Sequence, residues 1–216
     1  MIPPQRPRVL LADDHLMVAE ALKSLLTPEF DLVGVVEDGR ALVEAASTLR
    51  PDVIVADITM PHLNGIDALV HLRQQGNRVP VVFLTMHRDA SFARRALDAG
   101  ASGFVLKHSA PAELVTAIRA ALEGKTYLTP QLAGEVFEAM KQGPQQDGGS
   151  LGSLTLRQRE VLQLAAEGQS AKQIASTLRI SPRTVEFHKY QMMEALGLHT
   201  NADLVHFAIK HGLVER

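Results

Sequence analysis

The first 127 residues alternate between short apolar runs and amphipathic stretches, and this alternation limits the possible folds more than any other feature. Five runs are rich in β-branched and aliphatic residues: "RVLLA", "LVGVV", "DVIVA", "PVVFLT" and "GFVLK". Each is followed by a stretch with helical spacing, from "HLMVAEALKSLL" to "PAELVTAIRAALEG". Five strands in alternation with five helices predict a parallel sheet that is covered by helices on both faces.

A segment rich in Gly, Gln and Ser, "MKQGPQQDGGSLGS" at residues 140–153, follows this region. Its composition is typical of a flexible linker. After it come four helical stretches, each opening near a Ser, Thr or Asn, and no strand-like run. We therefore predict an α/β domain at residues 1–127, a helical extension with a linker at 128–153, and an all-α domain at 154–216.

The composition fits an ordinary globular protein of two domains, with 216 residues of which 46% are hydrophobic and 21% charged. The absence of cysteine excludes disulfides, thiol nucleophiles and Cys-based zinc sites. The N-terminal stretch lacks the apolar core of a signal peptide, and the longest apolar runs have only strand length. We expect a cytoplasmic protein with no membrane partner.

Polar side chains follow four of the five predicted strands. Asp13 and Asp14 follow the first, Asp57 follows the third, Thr85 ends the fourth and Lys107 ends the fifth. Ligands of open parallel sheets bind beyond this carboxyl edge. Two carboxylates 4 Å apart repel by roughly 4 kcal/mol at an effective dielectric of about 20, so the cluster needs a cation. An oxygen-only site suits Mg²⁺, and a carboxylate nucleophile beside an ammonium group predicts a phosphoryl site.

Four segments carry a family resemblance over about 120 residues: "LLADDH", "VIVADITMPHLNG", "VVFLTMH" and "GASGFVLK". In this order they resemble the receiver domains of two-component response regulators. The resemblance implies a flavodoxin-like fold with a five-stranded parallel sheet in the order 2-1-3-4-5. It also implies that a sensor histidine kinase is the phosphodonor.

The same resemblance implies a role for each residue of the acid cluster. Asp57 corresponds to the phosphoacceptor, and Lys107 to the cation that pairs with the phosphoryl oxygens. Asp14, Asp57 and the carbonyl of Thr59 correspond to direct Mg²⁺ ligands, and Asp13 to a ligand through water. A protein of this kind assists its own phosphorylation and dephosphorylation and is not otherwise an enzyme.

The resemblance further implies a switch that reports phosphorylation. Thr85 corresponds to the switch hydroxyl and Phe104 to the switch aromatic, which moves inward on activation. Thr59 and His87 occupy positions that tune the rate of dephosphorylation in the family.

The C-terminal segment "SAKQIASTLRISPRTVEFHKYQ" predicts a helix-turn-helix, in which Ser170 caps the first helix and Ser181 with Pro182 begins the second. At about 100° per residue, one stripe of the second helix is apolar enough to face the core. Its members are Val185, His188, Met192 and Leu196. The opposite face carries two aromatic residues, Phe187 and Tyr190, which need a partner.

Three motifs of this segment, "LTLRQREVL", "EGQSAKQIA" and "ISPRTVEFH", resemble the DNA-binding domain of the NarL/FixJ, or LuxR-type, regulators. The resemblance implies promoter DNA as a partner and a recognition helix from about residue 182 to 196. The implied base-facing positions are Glu186, Phe187 and Tyr190, and the implied phosphate contacts are Lys172, Arg183, Thr184 and Lys189. The last helix would form the contact of an active homodimer through Leu204, Val205, Ala208 and Ile209, unless these residues are simply core.

Glu186 departs from the family, which most often has Lys at this position. The last 66 residues carry eight basic and six acidic groups, which is a small positive excess for a nucleic-acid binder. The departure indicates either an altered base preference or weak DNA binding. Two alternatives to a DNA-binding response regulator therefore stay open. One is a phosphorylation-independent regulator or interaction module, and the other is a Mg²⁺-dependent phosphatase, although such enzymes usually place the nucleophile on the first strand.

Overall fold

The computed structural model describes residues 6–86, 89–109, 111–141 and 151–214. These residues form two compact units. One unit contains residues 6–60 and 64–141, and the core of the other lies within 151–214. The first unit includes residues 128–141, which the sequence assigns to a helical extension.

The first unit is built on a parallel sheet in which the described residues form six strands. They are β1 (Arg8–Ala12), β2 (Asp31–Val36), β3 (Val53–Ala56), β4 (Val81–Thr85), β5 (Gly103–Leu106) and β6 (Tyr127–Leu128). Their order is β2-β1-β3-β4-β5-β6, and each neighbouring pair is parallel. The predicted order 2-1-3-4-5 is confirmed, and β6 extends it at the β5 edge.

Strand β6 was missed by the sequence analysis because two residues give no periodicity. Its backbone nevertheless completes the ladder, since the Tyr127 N–H donates to the Ser102 carbonyl and the Thr129 N–H donates to the Phe104 carbonyl, both at 3.0 Å. The Leu106 N–H also donates to the Thr129 hydroxyl at 3.3 Å. The hydrogen-bonding edge of β5 is therefore occupied.

Six helices accompany the sheet in the described part of the first unit. They are α1 (Leu16–Leu26), α2 (Gly39–Leu49), α3 (Gly65–Gln74), α4 (Ala90–Asp98), α5 (Pro111–Leu122) and α6 (Pro130–Lys141). Val9 and Leu11 of β1 face a core formed with α1 and α5. Leu10, between them, points to the opposite face and is equally buried. Helices therefore cover both faces, which explains the uninterrupted apolar runs of the central strands.

The second unit consists of helices in its described residues. A short 3₁₀ turn (Leu151–Ser153) precedes α7 (Leu156–Ala166), α8 (Ala171–Leu178), α9 (Pro182–Leu196) and α10 (Asn201–Lys210). All four helices contribute to one apolar core. The predicted four-helix domain is confirmed.

Local sequence sets the helix boundaries of this unit. The hydroxyls of Thr155, Ser170 and Thr200 each cap a helix within a capping box. Ser181 caps α9, whose first residue is Pro182. Gly197 ends α9 with a φ of 67°, a conformation that costs glycine little. Among the described residues, no helix has the length and apolar character needed to cross a membrane.

Candidate functional site

The carboxyl edge of the sheet brings together the acidic residues that follow β1 and β3. Ala12 pairs with Ala56, so Asp13 and Asp57 are the next residues on adjacent strands. The Asp57 N–H donates to the Ala12 carbonyl at 2.8 Å, which extends the ladder to the acid itself. The Lys107 N–H donates to the Thr85 carbonyl at 2.8 Å in the same way. The backbone of the sheet therefore fixes where each of these side chains begins.

Lys107 joins the two buried carboxylates. Its Nζ atom donates to Asp57 Oδ2 at 2.6 Å and lies 2.8 Å from Asp13 Oδ2. The side chains of Asp13 and Asp57 are 1% and 5% exposed, and that of Lys107 is 9% exposed. Two buried negative charges would be costly without this cation.

Burial and charge shift the protonation of these groups in opposite ways. Burial raises the pKa of Asp57 to about 6, and the charge of Asp13 adds to the rise, although Lys107 and the Ile58 N–H oppose it. Burial alone would lower the pKa of Lys107, but the carboxylates of Asp57 and Asp13 raise it above its usual value. At neutral pH the pocket therefore holds an ionised carboxylate on Asp57 beside the ammonium group of Lys107.

The loop after β3 is packed tightly against Asp57. The Ile58 N–H donates to Asp57 Oδ1 at 2.6 Å, and the Gly65 N–H donates to the Ile58 carbonyl at 2.8 Å. A Cβ atom on Gly65 would lie 2.2 Å from the Asp57 carbonyl oxygen and 2.9 Å from the Phe83 ring. Asn64 caps α3 through the Asp67 N–H. The first residue of α3, Gly65, is thus in close contact with the backbone of Asp57.

Four side chains at this edge can share a metal ion. Asp13, Asp14, His15 and Asp57 each offer a ligand atom, and these atoms all lie within 4.8 Å of one another. Three hard carboxylate donors fit Mg²⁺. Thr59, whose carbonyl was predicted as a ligand, is buried in the loop after Asp57. The sequence analysis missed His15, although its position directly after Asp13 and Asp14 was the available signal.

The two predicted switch residues are both buried. Thr85, at the end of β4, and Phe104, in β5, have no exposed surface. The role of Thr85 and Phe104 as a switch stays a prediction. His87, the predicted modulator of dephosphorylation, lies outside the described residues.

Helix α9 separates an apolar stripe from an exposed polar and aromatic face, as predicted. Val185 and Met192 are buried in the core, and His188 and Leu196 are half-buried on the same stripe. Phe187 and Tyr190 are 56% and 67% exposed. Large exposed aromatic side chains on a polar helix indicate a binding surface.

The remaining predicted DNA contacts surround this aromatic pair. Lys172, Arg183 and Glu186 are exposed, whereas Thr184 and Lys189 are half-buried. The Thr184 hydroxyl lies 2.8 Å from the Ser181 hydroxyl at the start of α9. This face of α9 is therefore open for a ligand, and Glu186 is one of its exposed residues.

The prediction of a dimer contact on α10 needs a correction for two of its four residues. Leu204 and Ala208 are 1% and 0% exposed and belong to the core of their own unit. Both side chains pack against the other helices of their unit. They therefore hold α10 in place and are not accessible to a second copy of the chain. Val205 and Ile209 are half-buried and keep part of their surface accessible.

Comparison with known families assigns both units. The response regulator receiver domain matches residues 9–119, and the luxR family of bacterial regulatory proteins matches residues 152–208. The chain belongs to the two-component response regulators that combine a receiver domain with a LuxR-type helix-turn-helix domain, the NarL/FixJ family. It is therefore a DNA-binding transcriptional response regulator.

Individual relatives share this organisation over nearly their whole length. The transcriptional regulatory protein MctR of Rhizobium johnstonii is 35% identical over 98% of both chains. The response regulator UvrY of Escherichia coli is 31% identical over 95% of this chain and 94% of its own. The structure of the Salmonella typhimurium response regulator RcsB has a TM-score of 0.65, with 25% identity over 98% of this chain and 100% of its own. A further RcsB structure, bound to a promoter in the presence of the phosphomimetic BeF₃⁻, has a TM-score of 0.64 with 27% identity over 94% and 98%.

Proposed function

We propose that Asp57 is the phosphoacceptor and that its phosphorylation controls the binding of promoter DNA by α9. The observation that carries this proposal is the contact of Lys107 with both Asp57 and Asp13 at the carboxyl edge of the sheet. A carboxylate oxygen of Asp57 attacks the phosphorus atom of a phosphohistidine on a sensor kinase or of a small phosphodonor. A new P–O bond forms, the bond from phosphorus to the leaving group breaks, and the leaving group takes the electron pair.

The metal ligands in this proposal are Asp14, Asp57, the Thr59 carbonyl and, through water, Asp13. A bound Mg²⁺ supplies positive charge that offsets the charge of the phosphoryl oxygens. Lys107 can turn from the carboxylates to a phosphoryl oxygen, since its Nζ atom already lies between Asp13 and Asp57. The dephosphorylated donor then leaves the protein. The protein assists the phosphorylation and dephosphorylation of its own carboxylate and acts on no further substrate.

Phosphorylation adds about −1.5 to −2 charges to the pocket. Thr85 is the group that bonds to the new phosphoryl oxygens, and Phe104 is the side chain whose position follows. Both are buried on adjacent strands: Thr85 ends β4 and pairs with Leu106, and Phe104 lies two residues before Leu106 in β5, so a change at Thr85 can reach Phe104 through this strand pair. Thr85 and Phe104 together form the switch whose equilibrium between an inactive and an active arrangement is shifted by phosphorylation of Asp57.

Helix α9 enters the major groove of the promoter. Phe187 and Tyr190 contact bases, with thymine methyl groups as suitable apolar partners, and Glu186 accepts a hydrogen bond from a base such as cytosine. Phosphate contacts come from Lys172, Arg183, Thr184 and Lys189. The promoter-bound RcsB structure supports this use of the C-terminal unit.

The active form is a homodimer in the cytoplasm. An RcsB structure is described as two dimers on two DNA molecules, which supports a dimer. On α10 the contact falls to Val205 and Ile209, since Leu204 and Ala208 are core residues. A two-fold dimer would place two α9 helices on two half-sites of one promoter.

The phosphoacceptor is tested by incubating the full chain with acetyl phosphate and Mg²⁺ and mapping the modified residue by mass spectrometry. We expect one phosphoryl group on Asp57, none on Asp57→Asn, and normal labelling of the control Asp98→Asn, whose side chain is 63% exposed on α4. Labelling at another acid, or unchanged labelling of Asp57→Asn, would reject the assignment.

The link to DNA is tested by fluorescence polarisation with the promoter of the gene's own operon, with and without beryllofluoride. We expect tighter binding with beryllofluoride, and a loss of binding in Phe187→Ala and Tyr190→Ala at unchanged helix content. Equal binding in both conditions would favour the phosphorylation-independent alternative, for which Glu186 on the exposed face of α9 is the supporting observation. No binding in either condition would favour an interaction module.

A further inference from the structure

His15 directs its ring at the acid cluster instead of capping its own helix. It occupies the N-cap position of α1, where a side chain usually accepts a hydrogen bond from an N–H of the first turn. Its side chain makes no such bond. The Nδ1 atom lies 3.0 Å from Asp14 Oδ1 and 3.5 Å from Asp13 Oδ1. The imidazole therefore belongs to the pocket rather than to the helix end.

The spacing of the four side chains is close to that of a shared coordination shell. One atom each from Asp13, Asp14, His15 and Asp57 lie within 4.8 Å of one another. A metal that binds at about 2.0–2.2 Å holds opposite ligand atoms up to roughly 4.4 Å apart, so small side-chain movements would suffice. The His15 side chain is 46% exposed, so solvent rather than protein covers part of its ring.

A nitrogen donor changes which ions the pocket favours. Mg²⁺ is a hard ion that prefers oxygen ligands and keeps several waters. Imidazole suits Co²⁺, Ni²⁺, Cu²⁺ and Zn²⁺, and the affinity of a mixed site rises along this series up to Cu²⁺. The carboxylates alone serve either class of ion, whereas His15 adds to the affinity for the second class only.

We propose that His15 is a nitrogen ligand of the divalent-ion pocket and gives it a selective preference for late first-row transition ions. The inference rests on the proposed function, in which the same acids hold a divalent ion. In this proposal His15 determines which divalent ion the pocket prefers. Asp57 and Lys107 carry out the phosphoryl chemistry.

The first test compares affinities by isothermal titration of the full chain with Ni²⁺ and, separately, with Mg²⁺. We expect His15→Ala to weaken Ni²⁺ binding roughly 10- to 100-fold, a range typical for the loss of a group that completes or orients a metal site. Mg²⁺ binding should change by less than about twofold, because Mg²⁺ gains little from a nitrogen donor. His206→Ala, which removes an exposed histidine from α10, is the matched control and should bind both ions as the wild type does.

His15→Asn provides a second variant that can cap α1, so that a loss of affinity cannot be attributed to misfolding. It should bind Mg²⁺ normally and lose Ni²⁺ affinity as His15→Ala does. Equal weakening of both ions in both variants would overturn the proposal and make His15 a structural residue. Unchanged Ni²⁺ binding in both would overturn it as well.

The second test detects the nitrogen directly. Pulsed electron paramagnetic resonance of the Cu²⁺-loaded chain should show coupling to an imidazole ¹⁴N nucleus, and the coupling should be absent in His15→Ala and present in His206→Ala. Coupling that survives in His15→Ala would overturn the assignment. If Mg²⁺ binds and Asp57 is phosphorylated without this coupling, only the role of His15 fails. If neither ion binds and Asp57 is not labelled, the proposed function itself fails.

Discussion

The Nζ atom of Lys107 lies 2.6 Å from Asp57 Oδ2, so the charge of the proposed nucleophile is balanced before a phosphodonor arrives. The same atom is 2.8 Å from Asp13, and the three side chains share one buried space. In the proposed mechanism, phosphorylation of Asp57 weakens this contact, because the ammonium group of Lys107 then pairs with the phosphoryl oxygens. The predictions for the receiver domain follow from the strength and the burial of this contact.

Phosphorylation should slow in mildly acidic solution. Burial raises the pKa of Asp57 to about 6, and only the ionised carboxylate is a nucleophile. With a chelator in place of Mg²⁺, whose charge would lower this pKa, we expect the initial rate of labelling by acetyl phosphate to be constant above this pH and to fall about tenfold for each pH unit below it. Intact-mass measurements from about pH 5 to about pH 8 at fixed ionic strength check this. A flat profile across that range would contradict it.

Removal of the Asp57 charge should stabilise the metal-free protein. The pKa of Asp57 is about 6 in the folded state, against the ordinary value of 3.8 for Asp in an unfolded chain, so the folded state binds this proton more tightly. The free energy of unfolding therefore falls as the pH rises from about 4 to about 6. Above about pH 6 it stays lower by the full amount that the ionisation of buried Asp57 costs. We expect Asp57→Asn to be more stable than wild type at pH 7 by about 1–3 kcal/mol, as a shift of this size implies.

Urea unfolding with a chelator present measures this difference. The advantage of Asp57→Asn should disappear near pH 4, where Asp57 is protonated in the folded wild type. Asp98→Asn is the control, since its exposed carboxylate lacks the burial that raises the pKa of Asp57. An Asp57→Asn protein less stable than wild type at neutral pH would show that the contact with Lys107 outweighs the burial of the acid.

Lys107 should hold down the pKa of Asp57. Its charge is the largest influence opposing burial, and its hydrogen bond is the next. We expect Lys107→Met to raise the pKa of Asp57 above its wild-type value, as followed by the ¹³C shift of the Asp57 carboxyl group. Lys125→Met removes an exposed lysine that pairs with Glu123 and should leave the titration unchanged. An unaltered titration in Lys107→Met would contradict the contact.

Gly65 should be far less tolerant of a side chain than Gly134. A Cβ on Gly65 would collide with the Asp57 carbonyl oxygen at 2.2 Å, whereas a Cβ on Gly134 of α6 meets nothing within 4 Å. We expect Gly65→Ala to lower the free energy of unfolding by about 1–3 kcal/mol, as overpacking typically does. Gly134→Ala should raise it by roughly 0.5–1 kcal/mol, because alanine is the better helix residue. Thermal unfolding of both variants decides, and equal effects would contradict the close packing of Gly65.

A positive charge at position 186 should strengthen DNA binding at low salt. Glu186 lies on the exposed face of α9, where its carboxylate is repelled by phosphates. We expect Glu186→Lys to bind promoter DNA more tightly and to make the slope of log K against log salt more negative by roughly 0.9 if it adds one phosphate contact. Glu138→Lys makes the same charge change on α6 of the first unit and should leave the slope unaltered. If Glu186→Lys weakened binding to some promoter sequences and not to others, this would instead indicate that Glu186 reads a base.

The sheet and its acidic edge were predictable because each depends on a pattern that repeats along the chain. Apolar runs of five or six residues predicted β1 to β5, and the residues that end or follow four of these runs predicted what the edge would carry. Lys107 could be placed beside Asp57, 50 residues away, because parallel strands end at a common edge. The closeness of Gly65 to Asp57 could not be inferred in the same way, since it depends on the path of one loop.

Other features failed to emerge because periodicity does not report packing partners. The apolar stripe of α10 was correct, but spacing alone does not distinguish a core from a dimer contact, and burial assigns Leu204 and Ala208 to the core. His15 was overlooked because a histidine at a helix start has no periodic signature. Its direction toward Asp14 depends on a rotamer, which the sequence does not specify.

The two-residue strand β6 determines where the receiver can be cut for separate study. A fragment that ends at residue 127 would lose the N–H of Thr129 that donates to Phe104 and the hydroxyl that accepts from Leu106. Strand β5 would then have unpaired backbone N–H and C=O groups beside the proposed switch residue. Such an exposed strand edge can pair with a strand of another chain. Self-association of such a truncated receiver would result from this exposed strand edge and not from the regulated dimer. A fragment that extends to Lys141 keeps β6 and Thr129 paired with β5.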